Sequence, residues 1–192
     1  MQISTQAEIV HLRPAARTAP PQTSAPAEAA ARAAAPALYG GRTVVMDDRS
    51  PDQILAEDTA AQTGALGTEL TGALRGAFIG TDQPIHLSVG RFGAVETTDG
   101  RKERIEKFFR DSPELSKKLK DVSALNTLVA MNKLYRWHEA QQKAARTDEE
   151  RDTARDRFYA AGLQLQSLSG IATLQDGRLQ FAVQSFADTL TA

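Results

Sequence analysis

The chain has 192 residues, 41% of them hydrophobic and 24% charged, with a formal net charge of −1 and no cysteine. That balance suits one globular core of ordinary size rather than a fibrous or globally unfolded chain. The missing cysteine excludes disulfide staples, thiolate zinc sites, iron–sulfur ligation and cysteine nucleophiles. No run nears the roughly 20 apolar residues that a membrane-spanning helix needs.

Residues 13–36 read RPAARTAPPQTSAPAEAAARAAAP, rich in Ala, Pro, Ser and Thr. Such a stretch carries too little apolar area to offset an ordering entropy of roughly 1–2 kcal/mol per residue. Residues 1–41 are therefore expected to form a disordered leader and 42–192 a single α+β domain. The opening MQISTQAEIVHL has no basic segment ahead of an apolar run, so no cleaved secretory signal is expected. The expected localisation is cytoplasmic, with export without a cleaved signal as the alternative. A Ser/Thr/Gln-bearing N-terminus also suits a bacterial protein linked to an export, flagellar or type III-like apparatus. Residues 42–46, RTVVM, form a β-type run suited to an edge strand.

Ser50-Pro51-Asp52-Gln53 is a helix start, with Ser50 as N-cap, Pro51 at the first helical position and Gln53 closing a capping box. The helix is predicted over 51–79, bending near Gly64 and Gly67 and burying Leu66, Leu70, Ala73, Leu74, Ala77 and Phe78 before Gly80 stops it. Its glycines at 64, 67, 72, 76 and 80 do not form a phosphate loop, because Ala73 and Leu74 stand where the lysine and hydroxyl belong. Glu69 and Arg75 interrupt it as a membrane zipper. Close packing of another element against Gly72 and Gly76 is the expectation that remains.

Ile85, Leu87 and Val89 alternate with His86 and Ser88, so 85–97 reads as a β-hairpin turning through GRFG. Asp99 then caps a helix over 100–111 with Ile105, Phe108 and Phe109 as its apolar edge, ended by Ser112-Pro113. A long helix is predicted over 113–146, with Leu115, Leu119, Val122, Leu125, Leu128 or Val129, and Leu134 or Tyr135 at helical spacing. Thr147 and Glu150 form a capping box that opens a further helix over 148–169, carrying Ala154, Phe158, Ala161, Leu165 and Leu168. A second hairpin, 171–185, turns at Asp176-Gly177. The fold class is thus a helix-rich α+β arrangement: a long antiparallel helical hairpin packed with a small antiparallel sheet made of two β-hairpins.

Chemistry is sparse. His11, His86 and His138 lie far apart with no metal-ligand spacing, no serine sits in a nucleophile motif, and no cofactor motif appears. Asp47, Asp48 and Asp52 read as an acidic helix start rather than a cation loop. His86 and Glu96 form an acid/base pair only if the hairpin register sets them opposite each other; solvent-facing strand residues are the plainer reading.

Residues 101–146 carry twelve basic and six acidic side chains, and Arg101, Lys102, Arg104, Lys107, Lys117, Lys118 and Lys120 form a basic patch that phosphates would seek. Alternating signs there equally describe a solvated helix face, and no recognition-helix or RNA-binding motif accompanies them, which counts against nucleic acid. Tyr135, Arg136, Trp137 and His138 occupy successive helical positions that cannot all face one core, so they are the candidate partner-binding residues. The leading function is a non-catalytic protein–protein interaction or assembly module, binding another protein or itself; the alternatives are a small enzyme around His86 and Glu96, with His138 as a further acid/base member, and a weak nucleic-acid binder through the basic 101–120 segment.

Overall fold

A computed structural model describes residues 49–90 and 92–191, all within one compact unit, Asp48–Ala192. The expected leader, the 42–46 strand and His11 lie outside the described residues. Five helices and a four-stranded antiparallel sheet are present among the described residues. None of these helices is long and apolar enough to cross a membrane.

Helix α1, Pro51–Gly76, begins at the capping box: Ser50 Oγ accepts from the Gln53 amide and Gln53 Oε1 from the Ser50 amide. It runs through Gly64 and Gly67 without a break, since a glycine costs a helix only about 1 kcal/mol and packing offsets that. It stops earlier than Gly80. Ile79 N–H bonds the Leu74 carbonyl at 2.8 Å, Phe78 N–H bonds that of Arg75 at 2.9 Å, and Phe78 takes φ 58°. This is a Schellman ending with phenylalanine where glycine is usual. Ile79 and Leu74 are buried together, whereas Ala77 and Phe78, expected on the buried side, are exposed. Past residue 76 the helical phase no longer applies.

The glycine expectation also changes. A Cβ on Gly64, Gly72 or Gly76 would meet nothing within 4 Å, while one on Gly67 would lie 2.5 Å from the Gly177 carbonyl oxygen and 3.1 Å from Leu179 N. Gly67 is therefore where a neighbouring backbone approaches, and Gly72 and Gly76 face solvent.

Strands β1, Ile85–Val89, and β2, Val95–Thr97, form the first hairpin; β3, Ile171–Gln175, and β4, Arg178–Phe181, form the second. Antiparallel pairing of β1 with β3 joins them in the order β2-β1-β3-β4, with Ile85 opposite Leu174 and Leu87 opposite Ala172. Alternation puts Ile85, Leu87, Val95, Ala172, Leu174, Leu179 and Phe181 in the core. Asp176 and Gly177 both have positive φ, as a two-residue hairpin turn demands.

Helix α2 is Lys102–Asp111, α3 Pro113–Ala144 and α4 Asp148–Leu168, each starting or ending within two residues of its expected bound. The Thr147–Glu150 capping box is complete. Helix α3 packs against α1 and α4 and against a fifth helix, α5, Ala182–Thr191. The second hairpin thus ends at Phe181 rather than 185. Leu179, Phe181 and Val183 keep a period of two, but Val183 and Ala187 are both buried at a spacing of four, which is the helical solution.

A candidate docking groove on the helical hairpin

Helices α3 and α4 each spend one stripe on the core. Leu119, Val122, Val129, Ala130 and Leu134 do so on α3, and Ala154, Ala161 and Leu165 on α4. Each helix carries a second apolar row beside the first. On α3 this row is Leu128, Met131 and Tyr135, and on α4 Tyr159 and Leu163, at steps of three or four that align side chains on one face. Tyr135 is 56% exposed, Tyr159 61% and Leu163 70%, while Met131 between them is half-buried against the core, so the rows are open at their aromatic and leucine members.

Between the rows lies a groove of about 520 Å³, lined on the α3 side by Thr127, Met131 and Tyr135 and on the α4 side by Phe158, Tyr159, Gly162, Leu163 and Gln166. None of its lining side chains is charged. Thr127 to Tyr135 spans about 12 Å along the helix, slightly over two turns. Gly162 lowers the α4 wall, with no atom standing where its side chain would be. An aromatic cluster closes one end. Phe158 lies 5.3 Å from Tyr135, 4.4 Å from His138 in a stacked arrangement and 5.8 Å from Tyr159, ring centre to ring centre. Thr127 and Ser169 close the other end, their hydroxyls 3.3 Å apart.

The structure divides the four candidate partner-binding residues. Tyr135 borders the groove, and His138 stacks on Phe158 at its end. Arg136 turns to α1 and pairs with Asp52, which Asn132 also approaches at 3.4 Å. Trp137 packs against the core. Successive residues on a helix point about 100° apart, so this dispersal is geometric. The residues that sequence reasoning missed are Tyr159 and Leu163; the sequence signal was present as a step of four outside the row Ala154, Phe158, Ala161, Leu165 and Leu168.

The basic patch is divided as well. Arg101 binds Asp99 through both carboxylate oxygens, at 2.7 Å and 2.6 Å, and donates to the Gly80 carbonyl at 2.6 Å. Arg104 donates to the Phe78 carbonyl at 2.9 Å. These two arginines take up carbonyls of the loop that leaves α1, where positive charge also complements the helix C-terminus. The Arg101 guanidinium holds the Asp99 carboxyl at about 2, well below its usual 3.8. Lys102, Lys107 and Lys118 pair with Glu106, Asp111 and Glu69 at 3.7, 2.5 and 2.6 Å. Lys117 and Lys120 stand elsewhere, beside the first hairpin.

His86 and Glu96 are not brought opposite each other. The register pairs His86 with Thr173, whose hydroxyl is 3.1 Å from His86 Nδ1, and Glu96 with Ser88. Both side chains face solvent on the outer side of the sheet.

No significant similarity links the chain to a protein-family model, a curated protein or a solved structure.

Proposed function

We propose that the chain is a non-catalytic protein–protein interaction module that receives a short amphipathic helix of a partner in the groove between α3 and α4. The observation that carries this reading is the uncharged groove walled by the exposed Tyr135, Tyr159 and Leu163. Exposed apolar surface in contact with water is unfavourable by about 25 cal/mol per Å², and contiguous patches mark interaction sites more often than scattered residues do. A two-turn groove matches a helix offering apolar anchors at i, i+3 or i+4, and i+7. Tyrosines at its mouth add large contact area with few torsions to immobilise. Within this reading, the N-terminal composition directs the search for a partner to bacterial export or flagellar machinery.

The test is affinity capture from the native host with the wild-type chain and with Leu163→Asp, alongside the mass of each in solution. A stoichiometric partner retained by wild type and lost by the variant, at unchanged helical content and melting temperature, is the expected result. Equal capture by both proteins would sink the groove as the docking site. A wild-type dimer that Leu163→Asp converts to monomer would make the occupant a second copy instead.

A further inference from the structure

The first hairpin and the elbow between α2 and α3 enclose a separate concavity of about 620 Å³. Arg110, Lys117 and Lys120 line it from the helices, and Phe92, Val95 and Glu96 from the hairpin. None of these three cations forms an ion pair among the described residues. The acids bordering the concavity are Glu106 and, with its side chain on the outer face of the sheet, Glu96. Glu106 is already engaged, its Oε1 lying 3.4 Å from the Thr97 amide and 3.7 Å from Lys102 Nζ. Positive charge therefore exceeds negative there. Lys120 is also positioned, because its Cδ lies 3.5 Å from where a side chain on Gly93 would begin, so its stem runs along the hairpin tip. Phe92 at that tip is 94% exposed.

The hairpin wall adds a second kind of recognition. Strand β2 is a sheet edge. Val89 N–H bonds Gly170 on the β3 side and Gly90 N–H bonds Ala94 on the β2 side, which fixes the alternation: Glu96 directs its backbone groups to β1, and Val95 and Thr97 direct theirs outward. Glu106 takes the Thr97 amide. The Val95 N–H and C=O are left facing the concavity, with no protein partner among the described residues. Unpaired edge groups of this kind are satisfied when an extended segment adds as a further strand.

We propose that this concavity is a second docking site, which takes an extended acidic segment of a partner protein as a strand added to β2. Side chains of an added strand alternate between the two faces of the sheet. Those on the core side meet Arg110, Lys117 and Lys120, and those on the outer side stand next to Glu96. Carboxylates are favoured at the first set and neutral side chains at the second, since like charges on adjacent strands repel. The pattern selects alternating acidic and neutral residues over a uniform polyanion. A nucleic-acid strand, charged at every step, fits Glu96 less well.

Fluorescence anisotropy at low salt tests this with a labelled short peptide alternating glutamate and threonine, the same residues rearranged into a glutamate block, and a single-stranded oligonucleotide of equal charge. Saturable binding is expected for the alternating peptide, strongest of the three probes, and weakened by added salt. Joint Lys117→Gln and Lys120→Gln substitution should weaken it about tenfold, whereas Lys107→Gln, which touches an already paired lysine, should leave it unchanged. No saturable binding, the same affinity in the double variant at unchanged circular dichroism, or tighter binding of either other probe would overturn the proposal.

Discussion

Gly67 of α1 and Gly177 of the β3–β4 turn meet so closely that a side chain on Gly67 would begin 2.5 Å from the Gly177 carbonyl oxygen. A further tie holds the same contact, the Gly177 amide donating to Thr71 Oγ1 at 3.0 Å. Gly67→Ala is expected to destabilise the fold by about 1–3 kcal/mol, because the clash is with backbone and not with a movable side-chain end. Gly72→Ala should act in the opposite direction, stabilising by up to about 1 kcal/mol, as the added methyl meets nothing and the helix gains propensity. Urea denaturation of the two variants decides it; the same sign for both would show that the α1–β4 contact is misread.

Phe78 holds a left-handed backbone with its ring 88% exposed. A non-glycine residue in that conformation costs about 1 kcal/mol or more, and the exposed ring returns little. Phe78→Gly is expected to raise the urea midpoint by the equivalent of about 0.5–1 kcal/mol without altering the denaturant slope. A lowered midpoint would mean that the ring has a stabilising contact.

Trp137 and Tyr135 should part company under truncation. Trp137 packs on the core and Tyr135 lines the outer groove. Trp137→Ala is expected to cost about 3 kcal/mol of folding stability, and Tyr135→Ala under about 1 kcal/mol. Equal losses in thermal melts would place both in the core.

The Asp99–Arg101 pair gives stability a pH dependence of known sign. The folded carboxyl titrates at about 2 against an ordinary 3.8, so its contribution is complete above the ordinary value and is lost as pH falls through about 2. Asp99→Asn should cost about 1–2 kcal/mol near pH 7, allowing for partial solvent screening of Arg101. The gap between wild type and variant should close as the pH is lowered to about 2. A gap independent of pH would show that the charge is not what matters at this site.

Features set by neighbours along the chain were legible in the sequence. The capping boxes at Ser50 and Thr147, the Asp176-Gly177 turn and the core stripes of α3 and α4 all follow from spacings of a few residues. What escaped depends on partners far away. Gly67 is special only because β4 comes to it, and nothing in Gly64, Gly72 and Gly76 marks them as different. The end of α1 carries phenylalanine where a glycine would have announced the stop. In α5 the apolar residues fit a period of two as well as one of 3.6 over so short a run. The groove was half legible: Tyr135 stood out, but Tyr159 and Leu163 become a wall only once α4 lies beside α3.

Joining of the two hairpins through β1 and β3, with Ile85 opposite Leu174, has a kinetic consequence. Each hairpin and each helix can form from residues close in sequence, but the ladder between β1 and β3 closes a loop that contains α2, α3 and α4 entire. The entropy of that closure must be met before its hydrogen bonds return anything, which makes this ladder the natural late step of folding. A cut at the Arg146–Thr147 joint would leave one strand of the central pair on each fragment, so neither piece alone holds the β1–β3 ladder.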